Sequence, residues 1–404
     1  MTLAHLFTGI LPKKRESLAI FFLLIFSLIG LFLYSFTQVD LSLTITRTSF
    51  WQPIQHAFQY IGYFNRPLST LFYLLIIGML CLSYLLFLHL ARRGDVTVRT
   101  VWFVIIFIGI LFIFSYSAFS YDIFNYIFDA KIITHYGENP YIRKALDYPS
   151  DPMLSFMHWT HRTYPYGPSW LLLTVPVSFI GFSYFVPTYF LFKGLIILCY
   201  IGTAYYLQKV AEKLRPGTGL TTLVVFALNP LVIIESVVSS HNDIVMIFFT
   251  ILSIWLLLQR KVSMSFLSLI FSIGIKFITG FLIPVFVYMT VKQKTQKTSD
   301  LERPLIVMFF LMFLAMLLAI ARTNFQPWYF LHVFVFASIL MNRRFILIPA
   351  VIFSFFALFQ YIPYLYLGNY DPPVPAILQT LWIVPLAFCI ILGIILLFQQ
   401  KREQ

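Results

Sequence analysis

The sequence has few charged residues and few cysteines for its length. Only 11% of its 404 residues are charged, and 15 are acidic. The three cysteines lie within apolar runs, where isolated cysteines act as small apolar side chains, so neither a disulfide framework nor a metal cluster is predicted from them. They are Cys81, Cys199 and Cys389. The sequence also lacks a glycine-rich phosphate loop and a soluble domain, which argues against a cytoplasmic nucleotide-binding fold.

Apolar residues dominate the remainder of the sequence. The chain is 60% hydrophobic and 19% aromatic, and its mean hydropathy is +0.86. No water-soluble domain of this length has such a composition, so we predict an all-α polytopic membrane protein. The first apolar run lacks a small-residue cleavage site, and we expect it to remain as the first span. We attribute the net charge of +13 to anchoring at the inner leaflet and not to nucleic-acid binding.

Basic residues between the apolar runs predict the topology. The positive-inside rule places such loops in the cytoplasm, so an even number of crossings separates each consecutive pair of basic clusters. The clusters are Lys13 to Arg15; Arg92, Arg93 and Arg99; Lys209, Lys213 and Arg215; Arg260 and Lys261; Lys292, Lys294, Lys297 and Arg303; Arg343 and Arg344; Lys401 and Arg402. With both termini inside a plasma membrane, the pattern predicts about 12 transmembrane helices. They lie near 18–36, 67–90, 101–119, 184–208, 218–236, 242–258, 304–320, 328–341, 345–362 and 376–398, with two more in a hairpin between Lys261 and Lys292.

Two segments are too short for full-length spans. The run SWLLLTVPVSFIGF has about 14 residues where a spanning helix needs roughly 17 to 25, so we interpret it as an interfacial helix on the outer surface. The segment between Lys261 and Lys292 is too short for two full-length spans. We therefore predict a short hairpin whose tip, around Lys276, lies below the outer surface at the base of an external cavity.

The polar residues that remain lie mainly in three predicted external loops. These are a large catalytic loop at 120–168, a second loop at 235–243 and a third at 321–328. In the first of them, Asp122, Asn125, Tyr126 and Asp129 are spaced to share one face of a helix, with apolar residues on the other side. This pattern predicts a second interfacial helix, with its carboxylates facing out of the lipid. The three loops belong to a single domain covering 1–404, whose chemistry is expected to be external.

Four short motifs, in this order, resemble a known family. They are GENPY at 137–141, YPYGPSW at 164–170, NPLVIIESVVSSHND at 229–243 and QPWYF at 326–330. Together with a carboxylate placed just after a span, they resemble the GT-C superfamily of integral-membrane glycosyltransferases. The sequence is most similar to bacterial polyprenyl-phosphate-mannose-dependent mannosyltransferases, and more distantly to the enzyme that adds the first mannose of glycosylphosphatidylinositol. The likeness covers roughly residues 120–330.

The resemblance implies a reaction and its participants. A sugar, with mannose as the first expectation, is transferred with inversion from a polyprenyl-phosphate donor to a glycan or glycolipid acceptor on the outer face of the membrane. No soluble cofactor is implied, whereas a divalent metal is left open. The pair His158 and His161 in the HWTH motif is a weak metal candidate, because it lies in a proline-rich loop and lacks a clear third ligand.

The same resemblance assigns roles to the acidic residues. Asp122 matches the family's general base, which takes the proton of the acceptor hydroxyl; the alternative is a capping or solvated aspartate. Asp129 is either a second acid or a structural partner of Lys131 or Arg143. His241, Asn242 and Asp243 match a second acidic motif that binds donor or acceptor, although asparagine and aspartate also begin helices.

Cations and aromatic residues complete the predicted site. Lys276 lies in an apolar run and should face a cavity and pair with an anion, for which the donor phosphate is the candidate; the alternative is snorkelling to the outer headgroups. Arg322 could bind the same phosphate. The remaining candidates for binding donor or acceptor could instead serve turn geometry or membrane anchoring. They are Asn125, Tyr164, Tyr166, Gln326, Trp328 and Tyr329.

Two other classes of function remain open from the sequence. A multi-span transporter or flippase for lipid-linked saccharides would also carry an intramembrane lysine and external acids. It would, however, be expected to show internal repeats, and the two halves of this chain show no paired broken helices. A GT-C-like ligase or polymerase acting on lipid-linked glycans is the nearer enzymatic alternative.

Overall fold

A computed structural model describes residues 11–12, 14–182, 184–295 and 301–402. Lys13 and Lys297 of the basic clusters lie outside the described residues, and the side chain of Lys294 is not described. In the described part of the chain the regular elements are helical, apart from an isolated antiparallel bridge between Lys144 and Thr163. The predicted all-α class is therefore confirmed.

The helices follow one another in this order: α1 (Arg15–Ser35), α2 (Trp51–Gln59), α3 (Arg66–Arg93), α4 (Val98–Ile113), α5 (Asp122–Thr134), α6 (Pro168–Ile180), α7 (Phe185–Leu214), α8 (Gly219–Ala227), α9 (Pro230–Val238), α10 (Asp243–Leu258), α11 (Val262–Ile273), α12 (Ile283–Thr295), α13 (Glu302–Arg322), α14 (Leu331–Ile339), α15 (Arg344–Ala357), α16 (Ile362–Leu367) and α17 (Val374–Arg402). Short 3₁₀ turns include Phe277–Leu282 before α12 and Pro327–Phe330 before α14.

Six helical segments are long and apolar enough to cross a membrane, counted over the described residues. They are Arg15–Gln38, Arg66–Arg93, Phe185–Leu214, Glu302–Arg322, Arg344–Leu367 and Val374–Arg402. A seventh crossing results if α8 and α9, which are bent by 55° relative to each other, form one span. The chain is a polytopic membrane protein, and a count of about 12 crossings stays a prediction that depends on the shorter apolar helices.

Two predicted spans have different boundaries in the structure. The span expected at 101–119 ends at Ile113, where Ser115 donates its hydroxyl to the Phe112 carbonyl. The span expected at 218–236 breaks before Pro230, because proline has no N–H for the helix ladder and Asn229 accepts a hydrogen bond from Leu231 N as an N-cap. The break turns the following segment into the site described below.

Helix α5 is largely covered by neighbouring helices. It packs against α6 and α7, and most of its side chains are buried, including Asp129. Only the start of its polar face remains accessible, since the Asp122 side chain is 17% exposed. Asp129 is therefore covered by protein and not by water, while the interfacial position of α5 stays a prediction. The periodicity of the polar residues was compatible with either surface, because a helix face can be covered by protein as well as by water.

A glycine contact holds the loop before α6 against the tip of the hairpin formed by α11 and α12. Gly167 N donates to Ile275 O over 3.2 Å, and Ser169 N donates to Gly274 O over 2.9 Å. A Cβ atom on Gly167 would lie 2.2 Å from the Gly274 carbonyl oxygen. Because neither Gly167 nor Gly274 has a side chain, the two backbones can approach each other closely. Their contact fixes the turn that carries Lys276.

Gly167→Ala is expected to destabilise the protein by about 1 to 3 kcal/mol, because the added methyl group meets backbone atoms that cannot rotate away. A lowered unfolding temperature of the purified protein in lipid nanodiscs measures this effect. Gly280→Ala is the matched control, since Gly280 lies in the same hairpin and a Cβ there meets nothing within 4 Å. Equal unfolding temperatures for the two variants would contradict the proposed contact.

Candidate active site

The break between α9 and α10 places His241 at the centre of a buried polar group. Its Nδ1 lies 3.4 Å from Asp122 Oδ2, and its Nε2 lies 3.3 Å from Glu235 Oε2. The imidazole stacks on the Trp328 indole at 4.0 Å between ring centroids, with an interplanar angle of 27°. Ser240, immediately before it, has a left-handed φ of 60°. A strained backbone therefore aims this ring between two carboxylates.

The two carboxylates control the charge of His241. Burial alone lowers the pKa of the imidazole, but Asp122 and Glu235 on either side outweigh this effect and raise it to about 9. Glu235 in turn accepts a hydrogen bond of 2.7 Å from the Tyr361 hydroxyl. At neutral pH His241 is an imidazolium that offsets part of the negative charge of the pair.

The pKa of His241 predicts how stability depends on pH. Because this pKa rises from 6.5 to about 9 on folding, protonated His241 stabilises the fold in full below pH 6.5. That stabilisation falls as the pH rises and is lost above about pH 9. The unfolding temperature of the wild-type protein should therefore decline between these pH values, and should decline less in His241→Gln. His56→Gln, at an exposed histidine, is the control. Parallel declines in all three proteins would show that His241 does not titrate in this range.

A second charged group lies next to the first along the chain. Asp243 is fully buried, and its two oxygens contact Lys276 Nζ and His332 Nε2, each at 2.5 Å. Lys276 also lies over the Tyr166 ring, 5.5 Å from its centroid, and its side chain is 20% exposed. Lys276 therefore points into the protein and not toward the headgroups, so the snorkelling alternative is wrong.

Tyr126 joins the two groups. Its hydroxyl donates to Asp122 Oδ2 over 3.4 Å and accepts from Asn242 N over 3.4 Å. Its ring packs edge-on against Tyr166 and Trp170, each at 5.3 Å between centroids. A chain of buried polar contacts thus runs from Asp122 through Tyr126 and the 241–243 segment to Lys276.

Several polar atoms in this region are buried without a hydrogen-bond partner among the described residues. They are both ring nitrogens of His241, both amide atoms of Asn242, Oε2 of Glu235 and Nδ1 of His332. The His241 contacts to carboxylate are within ion-pair distance but are misdirected for hydrogen bonds. Unpaired buried polar atoms are costly, and their clustering at one place is typical of a site that binds a polar ligand.

The two predicted partners of Asp129 are occupied elsewhere. Lys131 forms an ion pair with Asp151, and Arg143 forms one with Glu138. Burial, with a further contribution from Asp122, raises the pKa of Asp129 well above its usual range. The prediction of a structural partnership with Lys131 or Arg143 is wrong, while the role of a second acid stays a prediction.

The other predicted residues include some that line the site and some that lie outside it. Tyr166 and Trp328 line the site, whereas Arg322 is exposed at the C-terminal end of α13. Tyr164 donates its hydroxyl to Gly167 O over 3.0 Å, which is a turn contact. The remaining three candidates lie in or beside their loops. Asn125 donates to Trp159 O over 3.4 Å, Gln326 precedes the Pro327–Phe330 turn, and the Tyr329 hydroxyl lies 3.2 Å from Thr323 Oγ1.

Three residues of the site were not selected from the sequence. Glu235, His332 and Tyr361 each lie within an apolar run, and each contacts a partner distant in the chain. An ionisable side chain inside a predicted span is the signal that could have identified the first two. Lys193 of α7 carries the same signal, but it donates to Ser115 O over 2.8 Å and to Ser115 Oγ over 2.7 Å, and so binds the end of α4.

The described residues include no group of three or more His, Cys, Asp or Glu side chains with the geometry to hold a metal ion. Both oxygens of Asp243 are occupied by cationic or ring nitrogen atoms, so this carboxylate does not suit a metal. His158 stacks on Tyr121, and His161 accepts a hydrogen bond from Arg162 Nε. The HWTH pair therefore does not converge on one point.

Comparison with protein families identifies a family that matches most of the chain. The family described as "Alpha-(1->6)-mannopyranosyltransferase, N-terminal domain" matches residues 24–292. This range includes Asp122, Glu235, His241, Asp243 and Lys276. No curated protein and no solved structure matches the chain.

Proposed function

This chain belongs to the alpha-(1->6)-mannopyranosyltransferase family, and we propose that it transfers mannose from a polyprenyl-phosphate donor to a glycan or glycolipid acceptor, with inversion. Membership confirms the resemblance to bacterial mannosyltransferases and makes the chain a membrane glycosyltransferase. The observation that carries the finer proposal is the chain of buried polar contacts that links Asp122 to Lys276 through Tyr126 and the 241–243 segment. A base and a phosphate-binding cation are the two groups that this reaction requires.

Lys276 is proposed to bind the phosphate of the donor. Its ammonium group has three donor hydrogens, one of which is directed at Asp243, so two remain for phosphate oxygens. Asp243 and His332 hold the side chain in place, and Tyr166 lies beneath it. As the sugar leaves, negative charge grows on the phosphate, and a fixed cation in a partly buried site stabilises that charge. Arg322 remains a second proposed phosphate ligand, which would require movement of its exposed side chain.

Asp122 is proposed as the general base. The acceptor oxygen attacks the anomeric carbon, the bond from that carbon to the phosphate oxygen breaks, and its electron pair leaves with polyprenyl phosphate. Asp122 takes the hydroxyl proton, and the configuration inverts through an oxocarbenium-like state. His241 and Tyr126 both contact Asp122 Oδ2, and so orient the carboxylate.

We place this chemistry at the outer face of the plasma membrane, in a GT-C fold with about 12 crossings and both termini in the cytoplasm. The basic clusters between the apolar runs support this orientation. The three external loops at 120–168, 235–243 and 321–328 then supply the site residues. Labelling of Asn139→Cys by an impermeant thiol reagent on intact cells tests this placement. Labelling only after permeabilisation would contradict it.

The donor class is tested by comparing two mannosyl donors. The purified protein in lipid nanodiscs should transfer mannose from polyprenyl-phosphate mannose to an α-1,6-mannotriose acceptor. It should leave a nucleotide-linked mannose unused, since the cytoplasmic loops offer no nucleotide fold. Transfer from the nucleotide sugar would overturn the proposed donor. Movement of the lipid-linked sugar across the membrane without formation of a glycosidic bond would favour the flippase alternative.

A further inference from the structure

An aromatic cluster lies immediately beside the candidate base. Tyr121, the residue before Asp122, stacks on His158 with 3.5 Å between ring centroids and an interplanar angle of 17°. The Tyr121 and Tyr63 hydroxyl oxygens lie 3.5 Å apart. Three separate segments thus bring their rings together: the π-helical turn Tyr60–Phe64 before α3, the start of α5 and the large external loop. His158 is exposed, and the two tyrosines are half-buried.

Two charged side chains flank these rings. Asp40 Oδ2 accepts a hydrogen bond of 3.3 Å from the Tyr121 hydroxyl, and the Arg66 guanidinium lies over the Tyr63 ring, 5.6 Å from its centroid. Both charged residues are half-buried, and neither forms an ion pair within the described part of the chain. Hydrogen bonds satisfy part of each group, since Ser42 N donates to Asp40 Oδ1 and Arg66 Nη1 donates to Tyr364 O over 3.4 Å. These bonds leave the charges themselves unneutralised, which favours a role for both side chains in binding polar groups of a ligand.

This combination has the chemistry that binds a sugar. The C–H faces of a pyranose pack on aromatic rings, and its hydroxyl groups donate to a carboxylate and accept from a guanidinium. The negative charge of Asp40 repels the phosphate of the donor. This cluster is therefore distinct from the proposed phosphate site at Lys276. We infer that Asp40, Tyr63, Arg66, Tyr121 and His158 form the acceptor subsite, which binds a terminal mannosyl residue of the glycan.

The position of the subsite agrees with the proposed chemistry, on which the inference rests. Tyr121 immediately precedes Asp122 at the start of α5, so the inferred subsite begins one residue from the candidate base. Lys276, the proposed phosphate ligand, contacts Asp243 at the other end of the 241–243 segment. Inversion requires the acceptor oxygen and the leaving phosphate to lie on opposite sides of the anomeric carbon, and separate sites for acceptor and phosphate are compatible with that requirement.

Two variants test the subsite without disturbing the backbone. Asp40→Asn retains an Oδ1 acceptor for Ser42 N, which now donates to Asp40 Oδ1 over 2.9 Å, and His158→Ala alters an exposed ring. Each should raise the KM for α-1,6-mannotriose about tenfold or more, since each loses contacts made directly to the sugar. Asp371→Asn is the control at an exposed aspartate elsewhere on the same predicted face.

A binding measurement separates this inference from the proposed function. Saturation-transfer NMR with α-1,6-mannotriose and no donor should detect binding to the wild-type protein and to Asp371→Asn, and weaker binding to Asp40→Asn and His158→Ala. This result supports the subsite even if no mannosyl donor is turned over. Unchanged KM and unchanged NMR signals in both variants, or an absence of binding by the wild-type protein, would overturn it. Lowered unfolding temperatures with unchanged KM would show that the cluster serves only to pack the loops.

Discussion

Asp122→Asn is expected to slow mannosyl transfer by about 10²- to 10⁴-fold, the usual contribution of a general base. The amide is nearly isosteric with the carboxylate and still accepts hydrogen bonds at Oδ1, but it cannot take a proton at neutral pH. Binding of the donor through Lys276 should be unaffected. The measurement is the single-turnover rate with saturating polyprenyl-phosphate mannose and α-1,6-mannotriose, in nanodiscs.

Asp129→Asn is the matched control for this prediction. It lies two turns further along the same helix and is buried, and burial raises its pKa well above the usual range. Because burial already disfavours the charged carboxylate at this position, replacing it with an amide should slow transfer much less than Asp122→Asn does. A wild-type turnover rate in Asp122→Asn would contradict the proposed role of Asp122 as the general base. Equal losses in the two variants would show that a negative charge at Asp122 is not what matters.

Lys276→Met is expected to raise the KM for polyprenyl-phosphate mannose by about 10- to 100-fold, the range for a lost charge-assisted hydrogen bond to phosphate. Methionine keeps the length of the side chain and removes its charge. The single variant also leaves buried Asp243 with only His332, which should lower stability by about 3 to 5 kcal/mol. In this variant, weaker donor binding and lower stability therefore occur together.

A double variant separates binding from stability. Lys276→Met combined with Asp243→Asn removes the charge that has lost its partner, so the unfolding temperature should recover toward that of the wild-type protein. The KM for the donor should remain high, because the cation is still absent. Recovery of both quantities would show that Lys276 serves only to neutralise Asp243 and does not bind phosphate.

The sequence identifies part of the site because charged residues are scarce in an apolar chain. Asp122, Asp243 and Lys276 are each visible as a charge beside or within an apolar run, where a partner or a ligand is required. Their partners were not predictable, since the Asp243 contact with His332 joins residues 89 positions apart and the Glu235 contact with Tyr361 joins residues 126 positions apart. Such pairings depend on how the helices pack, which hydropathy alone does not encode.

Local chemistry also explains where the predicted fold differs from the structure. Hydropathy alone predicts that the apolar run around Pro230 is one span. The helix breaks there because proline has no N–H to donate and Asn229 caps the segment that follows. Both carboxylates of α5 were expected to face out of the lipid, and the structure shows that Asp129 is covered by protein. Periodicity shows that a helix has two unlike faces, and it does not show what each face contacts.

The most direct test of the account is a structure of the Asp122→Asn variant with bound polyprenyl-phosphate mannose. Two features are expected: a phosphate oxygen within about 3 Å of Lys276 Nζ, and an anomeric carbon that faces the substituted side chain at position 122. The acceptor subsite at Tyr121 should lie open on the side of that carbon opposite the phosphate. A phosphate bound away from Lys276, or a sugar whose anomeric carbon faces away from position 122, would contradict the proposed catalytic site.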